Sequence, residues 1–488
     1  MMKFNKCAFS VGVALIASTL VACGGSGSTA NRGGGIGGTG VTLSNQYSGE
    51  ISGFGSIFVN GVRFNTNNSQ FFVNGQAADE SALSVGMVVR VEGEAQAGEG
   101  VANKVYFDAG IEGPISGDII SSSRELIVLP VMGVEVVLHG SKTQFDQLTF
   151  EQLSQDTSLL AAGKMVELSG FYNAQGQFEA SYFELEDKPF VANSSEVQVI
   201  GTVEQLSDSQ FTLTLSQGVA PLTVELLNAS TEDALVEGKL VKVEGTLAAL
   251  DSQTIQAIEI ESLEAQEEQE VELQGLITAL ESQQSFTLNG VTVDASQVTL
   301  QEQLTTDMLV EVEGVMKQGV LVAESIEILR ASDEQEIELQ APVESVDLDA
   351  QTITLSAFGQ PITLSVNNRT EWDDERDDVR RFNLNDVAVG DYLEVELVET
   401  PAGLIAQEIE REDSEDGSAL EVELLAANLD PDNQQVKIAG LSLSLNENIE
   451  IEGELTVNEF FDQAVSFDEV VFLDLDGDQQ IDQILLDD

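Results

Sequence analysis

At 488 residues and 42% hydrophobic content, the chain is too long for one core and apolar enough for several folded domains. Lys and Arg number 20 against 85 Asp and Glu, a net charge of −65. That balance excludes nucleic acid as a partner, since phosphate binding needs a basic surface, and it favours solubility, self-repulsion and attraction of cations.

The chain opens with an export pattern over residues 1–22. Lys3 and Lys6 give a positive start, and Val11–Val21 is a short apolar run, too short for a stable membrane span. Leu20-Val21-Ala22-Cys23-Gly24 resembles the lipobox of bacterial lipoproteins. The resemblance implies removal of the leader and lipidation of Cys23. Acyl chains would then anchor the protein, each buried methylene contributing about 0.8 kcal/mol. Cys7 would leave with the leader, so the mature chain would hold no disulfide and rely on packing alone. Gly rather than Asp after Cys23 resembles the pattern of lipoproteins sent to the outer membrane; which face they occupy is left open.

Residues 23–46 are Gly- and Ser-rich and read as a flexible tether. Gly35–Gly40 formally matches G-x-G-x-x-G, but it follows no strand and opens no helix, so it is no dinucleotide site. From there a strand-rich unit repeats. In the clearest copy, Gly275–Leu280 is one strand. Phe286–Val293 is two more joined by Asn289-Gly290, and Leu309–Ile328 closes as a hairpin. Asn-Gly between alternating apolar residues is a strong hairpin signal. The repeats are assigned to residues 47–109, 110–190, 195–265, 270–332, 336–412 and 418–488, the last divergent. Their unequal lengths do not suit a tight solenoid, so separate beads with their own cores are expected.

Acidic runs at Glu264–Glu270, Asp333–Glu336 and Glu412–Asp416 read as linkers. The Val-Glu-Val-Glu alternation places apolar residues inside and acids outside, where they would stay ionised. Five antiparallel strands per repeat leave edges that closure into a barrel removes. The expected fold is all-β: a tandem array of small five-stranded OB-like β-barrels joined by acidic linkers, with an open sandwich as the alternative.

The lipobox, the tether, Gly55–Val62 (GSIFVNGV) and the repeated G-x-x-V-x-V-x-G hairpins together are similar to bacterial lipoproteins built of tandem domains of unknown function of the 5666 family. The resemblance spans nearly the whole mature chain and weakens in the last repeat. It implies an OB-like fold at the cell envelope and no assigned activity.

Few residues suggest chemistry. His139, the single histidine, sits at a strand end and reads as a polar residue rather than a base. No G-x-S-x-G elbow occurs, and zinc would lack thiols and a second histidine. Trp372, the single Trp, reads as a plug at the bottom of its barrel, like Phe145 in the second repeat, with a ligand platform as the alternative. Asp474, Asp476, Asp478 and Asp482 around Gly477 resemble the start of a calcium loop, though Leu485 stands where the closing Glu belongs. An Asp-Gly hairpin turn is the alternative. The cluster Asp373–Asp378 is a weaker candidate, tempered by Arg376, Arg380 and Arg381.

The expected function is a lipid-anchored, non-enzymatic envelope module that binds or spaces, with an envelope protein or glycan as partner. A calcium-stiffened adhesive or structural array comes second, and a glycan-active enzyme using two carboxylates last.

Overall fold

A V-x-V-x strand buries one face and leaves the other polar. Leu309–Lys317 follows that rule, its buried residues alternating with exposed or half-buried ones. The computed structural model describes residues 45–487, except 124–125, 228, 232–233, 264, 301–302, 331–336, 378, 380, 401–402, 414–416, 447–448 and 468. The leader, Cys23 and most of the tether lie outside the described residues, as do Asp333–Glu336 and parts of the other two acidic runs. The described chain is nearly all β. Its α-helices are Phe150–Gln155 and Val457–Gln463, each capped by a threonine.

In repeat 1, Asn45–Phe54 pairs antiparallel with Ile57–Val59 on one edge and Val88–Gln96 on the other. Ile57–Val59 turns into Val62–Asn65, which lies parallel to Glu99–Phe107. That last strand pairs antiparallel with Val88–Gln96 and closes the ring. The order, first-second-third-fifth-fourth with third and fifth parallel, makes a small five-stranded OB-like barrel. Repeats 3, 4 and 5 close in the same way.

Closure depends on the length of the first strand, which must serve two neighbours. It spans 10, 9, 13 and 11 residues in repeats 1, 3, 4 and 5. In repeat 2 it has four, and the barrel closes through one bridge, Ile115 to Val131. In repeat 6, Ser418–Val422 has five and does not pair with the second strand. There Leu429–Asp430, Gln435–Ile438 and Leu441–Ser444 form a separate small sheet.

The glycine of each G-x-x-V-x-V-x-G hairpin marks a bulge. Pairing of the fourth and fifth strands slips at Gly93, Gly170, Gly245 and Gly314. A Cβ there would run into the facing carbonyl of Val101, Glu179, Gln256 or Val322. The Asn-Gly turns also have a second task. Asn60 (φ 53°) and Asn289 (φ 49°) fold back over Gly49 and Gly275 of the first strand. Their Nδ2 groups donate to Ser48 O at 3.4 Å and Gln274 O at 2.7 Å.

Separate beads are not what forms. The first strand bends, pairing with the fourth strand along its N-terminal half and with the second along the rest, so half of one edge stays unpaired within the barrel. Each repeat fills that half-edge with the first strand of another. Gln46–Ser48 runs parallel to Val271–Leu273, joining repeats 1 and 4. Ile111 and Glu112 pair with Val199 and Gln198, joining repeats 2 and 3. Ile337–Gln340 pairs with Ala419–Val422, joining repeats 5 and 6. Repeats 2 and 3 share one hydrophobic core, and so do repeats 5 and 6. Unpaired backbone donors and acceptors on an edge are what drives such pairing.

Candidate functional site

Where repeats 1, 2, 4 and 5 meet, they line a half-open cavity of about 760 Å³. Repeat 1 contributes Glu50 and Asn60, repeat 2 His139 and Glu179, repeat 4 Arg330, and repeat 5 Glu371, Glu396 and Glu408. The acids among them lie on strands or strand ends whose alternation turns them away from their own cores. The strand alternation therefore delivers the acids to the seams between barrels.

Burial there changes their chemistry. Desolvation raises the Glu50 and Glu371 carboxyls above the ordinary range, and at Glu371 the Glu50 charge adds to the rise. Glu408 is 7% exposed; burial, then the charges of Glu371 and Glu396, holds it well above the ordinary range. Gln144 Nε2 of repeat 2 donates to Glu408 Oε1. Other seams behave alike. Desolvation and Glu167 push Glu112 up to about 8, and desolvation and Glu311 push Glu272 up to about 8. For these acids the expectation that outward-facing strand carboxyls stay ionised does not hold, because their outer face packs on another barrel.

Three cations reach across the seams. Arg369 reaches from repeat 5 to Glu311 at 2.7 Å and Glu327 at 3.0 Å in repeat 4. Arg381 reaches Glu80 of repeat 1 at 2.5 Å. Lys242, 2% exposed, holds Asp108 at 2.6 Å, Glu261 at 3.1 Å and Glu244 at 3.2 Å.

His139 ends the strand Val134–His139, and its Nε2 lies 2.7 Å from Glu179 Oε2. Asn173 Nδ2 donates to Glu179 Oε1 at 2.7 Å. Burial opposes the Glu179 charge, but these two partners outweigh it and lower the carboxyl below its ordinary range. Trp372 is 9% exposed in the core of repeat 5, edge-to-face with Phe382 at 5.8 Å. It occupies the position that Phe145 has in repeat 2: both lie in a short strand parallel to the fifth. That is the place of a plug.

Carboxylate oxygens of Asp474, Asp476 and Asp482 lie within 4.8 Å of one another; Asp478 is not in that group. Asp474, 4% exposed, accepts from Gly477 N at 2.9 Å and Gln479 N at 3.0 Å. Asp482 accepts from Leu475 N at 2.9 Å, and Asp478 from Gln480 N at 3.0 Å. Burial raises the Asp474 carboxyl, and the two backbone donors oppose that rise. In the Asp373–Asp378 cluster, Asp374 is bound by Arg411, which the sequence reading did not single out. Arg376 goes to Asp377 at 3.0 Å and Asp391 at 2.9 Å. Arg380 and Asp378 lie outside the described residues.

Sequence reasoning missed the chamber. Glu50 and Glu371 stand over 300 positions apart, and nothing local to either marks the cavity they share.

The sequence profile of a family described as "Domain of unknown function (DUF5666)" matches residues 48–105, 112–184, 200–261, 274–327 and 340–410. The chain belongs to the DUF5666 family. Repeat 6 lies beyond the matched DUF5666 segments, in keeping with its unclosed barrel. The family description assigns no activity. None of the curated proteins compared matches the chain. Among solved structures, a copper(II) form of an Escherichia coli CusF variant is 15% identical and covers 17% of this chain and 100% of its own, with a TM-score of 0.13. A Drosophila Unr fragment, CSD456, is 14% identical and covers 62% of this chain and 97% of its own, with a TM-score of 0.12. The OB-like assignment of the DUF5666 repeats rests on their own strand order.

Proposed function

We propose that this DUF5666 chain is an exported, lipid-anchored, non-catalytic binding module of the cell envelope. Its ligand would be taken into the chamber between repeats 1, 2, 4 and 5. The chamber is the observation that carries this reading: four repeats must fold together to build it, and a mere spacer has no use for it. Its carboxyl-rich wall suits a ligand bearing positively charged amino groups, such as an amino sugar or a polyamine. Attachment through Cys23 follows from the lipobox-like Leu20–Gly24, and Gly24 points to the outer membrane.

Calorimetric titration of the mature chain, made soluble by Cys23→Ser, with a glucosamine oligomer and with spermidine tests the site. Saturable binding by one of them, weakened about tenfold by Glu408→Gln, is expected; that is about 1.4 kcal/mol. Heats that never saturate, or that the variant leaves unchanged, would remove the chamber as a ligand site. The anchor is checked separately: wild-type protein should incorporate labelled fatty acid and fractionate with membrane, and Cys23→Ser should do neither.

A second reading, an array stiffened by calcium, is favoured by the convergence of Asp474, Asp476 and Asp482. Binding to the folded state alone stabilises by about 2.7 kcal/mol at a hundredfold excess over Kd. Thermal unfolding in calcium should then exceed that in chelator, and Asp476→Asn/Asp482→Asn should abolish the difference. Identical melts would leave Asp474–Asp482 a hairpin turn held by backbone N–H groups.

A further inference from the structure

A second, smaller cavity lies between repeats 1 and 5, about 190 Å³ in volume and half open. In a chain 22% charged, no Asp, Glu, Lys or Arg lines it. Its walls are aromatic: Phe54 and Phe58 come from repeat 1, Trp372 and Phe382 from repeat 5. Exposed amides stand around them, those of Gln351, Asn367, Asn368 and Asn385. Asn368 ties the two repeats together, its Nδ2 donating to Gly61 O at 3.3 Å while its backbone carbonyl accepts from Ser52 Oγ at 3.2 Å. Asn368 Oδ1, Asn367 Nδ2, Asn385 Oδ1 and both amide atoms of Gln351 have no partner among the described residues. Trp372 is 9% exposed, and its indole N–H also donates to no group among those residues. The polar side-chain atoms that are buried there without a partner belong to Asn60, Tyr172, Gln198 and Glu272, so the Trp372 N–H reaches open space. Gly53 leaves that edge of the ring uncovered. A Cβ there would stand 3.7 Å from Trp372 Cδ1, the carbon next to Nε1, and 3.8 Å from Phe58 Cδ2. A buried indole with its donor at the open end suits a ligand that is apolar on one side and polar on the other.

We propose that this pocket binds one neutral sugar ring, a pyranose, with its C–H faces against the aromatic side chains and its hydroxyls on the Trp372 N–H and the free amides. Other ligand classes fit less well. A charged ligand would leave water for a site that offers no counter-charge. A wholly apolar ligand would cover the indole N–H and the amides without pairing them, and an unpaired buried donor is costly. A pyranose has apolar C–H faces together with hydroxyls that both donate and accept, so it answers both parts of the wall. The volume lies below the roughly 300 Å³ at which drug-sized sites begin, which suits a single ring rather than a chain. The pocket shares Ser52 and Asn367 with the chamber but none of its carboxyls. The inference goes beyond the binding reading and stands whether or not the chamber takes a ligand.

Trp372 is the single tryptophan, so its emission reports on the pocket. The mature chain carrying Cys23→Ser is titrated with glucose, galactose, mannose and N-acetylglucosamine, all neutral, and with glucuronate as a charged analogue. At least one neutral sugar should change the emission saturably, and glucuronate should bind at least tenfold more weakly. Gly53→Ala should weaken the sugar about tenfold. Gly53 does not use a positive φ, and the added methyl meets its neighbours at ordinary contact distance, so the variant folds while the methyl takes up pocket space. Trp372→Phe, read by calorimetry, removes the N–H and keeps an aromatic plug, as Phe145 does in repeat 2; it should weaken the sugar to a similar extent. No saturable change with any of the four sugars would overturn the pocket. So would equal affinity for glucuronate, or full affinity in the folded Gly53→Ala protein. A loss seen in Glu408→Gln but not in Gly53→Ala would place the sugar in the chamber and overturn it as well.

Discussion

Arg411→Met should destabilise repeat 5 by about 3–5 kcal/mol, the usual result of orphaning one member of a buried ion pair. Arg411 is 7% exposed, and its Nε donates to Asp374 Oδ1 at 2.6 Å while a second guanidinium nitrogen bonds Oδ2. The guanidinium carbon lies 4.5 Å from the centre of the Phe382 ring, which in turn packs on Trp372. Asp374 also accepts from the backbone of Asp377 and Val379, so it ties the irregular segment after Trp372 to the fifth strand. Without Arg411 that carboxylate stays buried with no cation of comparable geometry. Trp372 is the only tryptophan, so its fluorescence reports on this repeat. Urea unfolding followed at Trp372 gives the loss directly. The companion variant Asp374→Leu/Arg411→Met should cost much less than Arg411→Met alone, since no charge is stranded. A single-variant loss below about 1 kcal/mol, the level of exposed pairs, would show that the pair contributes as a surface bridge does.

Lys242→Met should loosen repeat 3 from repeat 1, at a similar cost of about 3–5 kcal/mol at neutral pH. Lys242 lies on the fourth strand of repeat 3, and the carboxylate at 2.6 Å belongs to Asp108, at the end of repeat 1. Burial acts against its charge, but Asp108 and Glu261 outweigh that and raise its proton affinity. A base raised in this way contributes stability that is fully present below its ordinary value of 10.5 and is lost only above it. The wild-type contribution is therefore flat from pH 5 to 9. The variant differs. It leaves Asp108, Glu244 and Glu261 without their cation, and burial already raises Glu244, so its deficit should shrink as pH falls towards 5. Chemical unfolding of both proteins at pH 5 and 8 measures this. A deficit independent of pH would mean that Lys242 acts by packing its alkyl chain.

The Arg411 and Lys242 pairs arise only in the folded chain, whereas the barrel itself is written locally. Asn60-Gly61 and Asn289-Gly290 between alternating apolar residues specify a hairpin, since both turn residues need positive φ. Glycines such as Gly93 and Gly314 mark the repeated closing hairpin, and the structure adds that each sits at a bulge. Val-Glu-Val-Glu strands specify which face is core, because side chains on a strand alternate by geometry. Five strands with short connections then leave few ways to close. The plug role of Trp372 was legible for the same reason, from its correspondence to Phe145.

What lies outside each barrel was not legible. Alternation says that a glutamate leaves its own core, but not what it meets there. The glutamates of the Val-Glu-Val-Glu strands were read as ionised because no local pattern reveals that a half-edge of the first strand is left unpaired and recruits another repeat. Nor does it show that repeat 1 takes repeat 4 rather than its neighbour repeat 2. That choice depends on edge geometry: Gln46–Ser48 lies parallel to Val271–Leu273. The sequence by itself determined the family, the barrel and its hydrophobic interior, which are set by interactions within a few tens of residues. Only the tertiary structure decided the paired first strands, the chamber and the buried carboxyls around it, because these join residues hundreds of positions apart whose energies depend on desolvation.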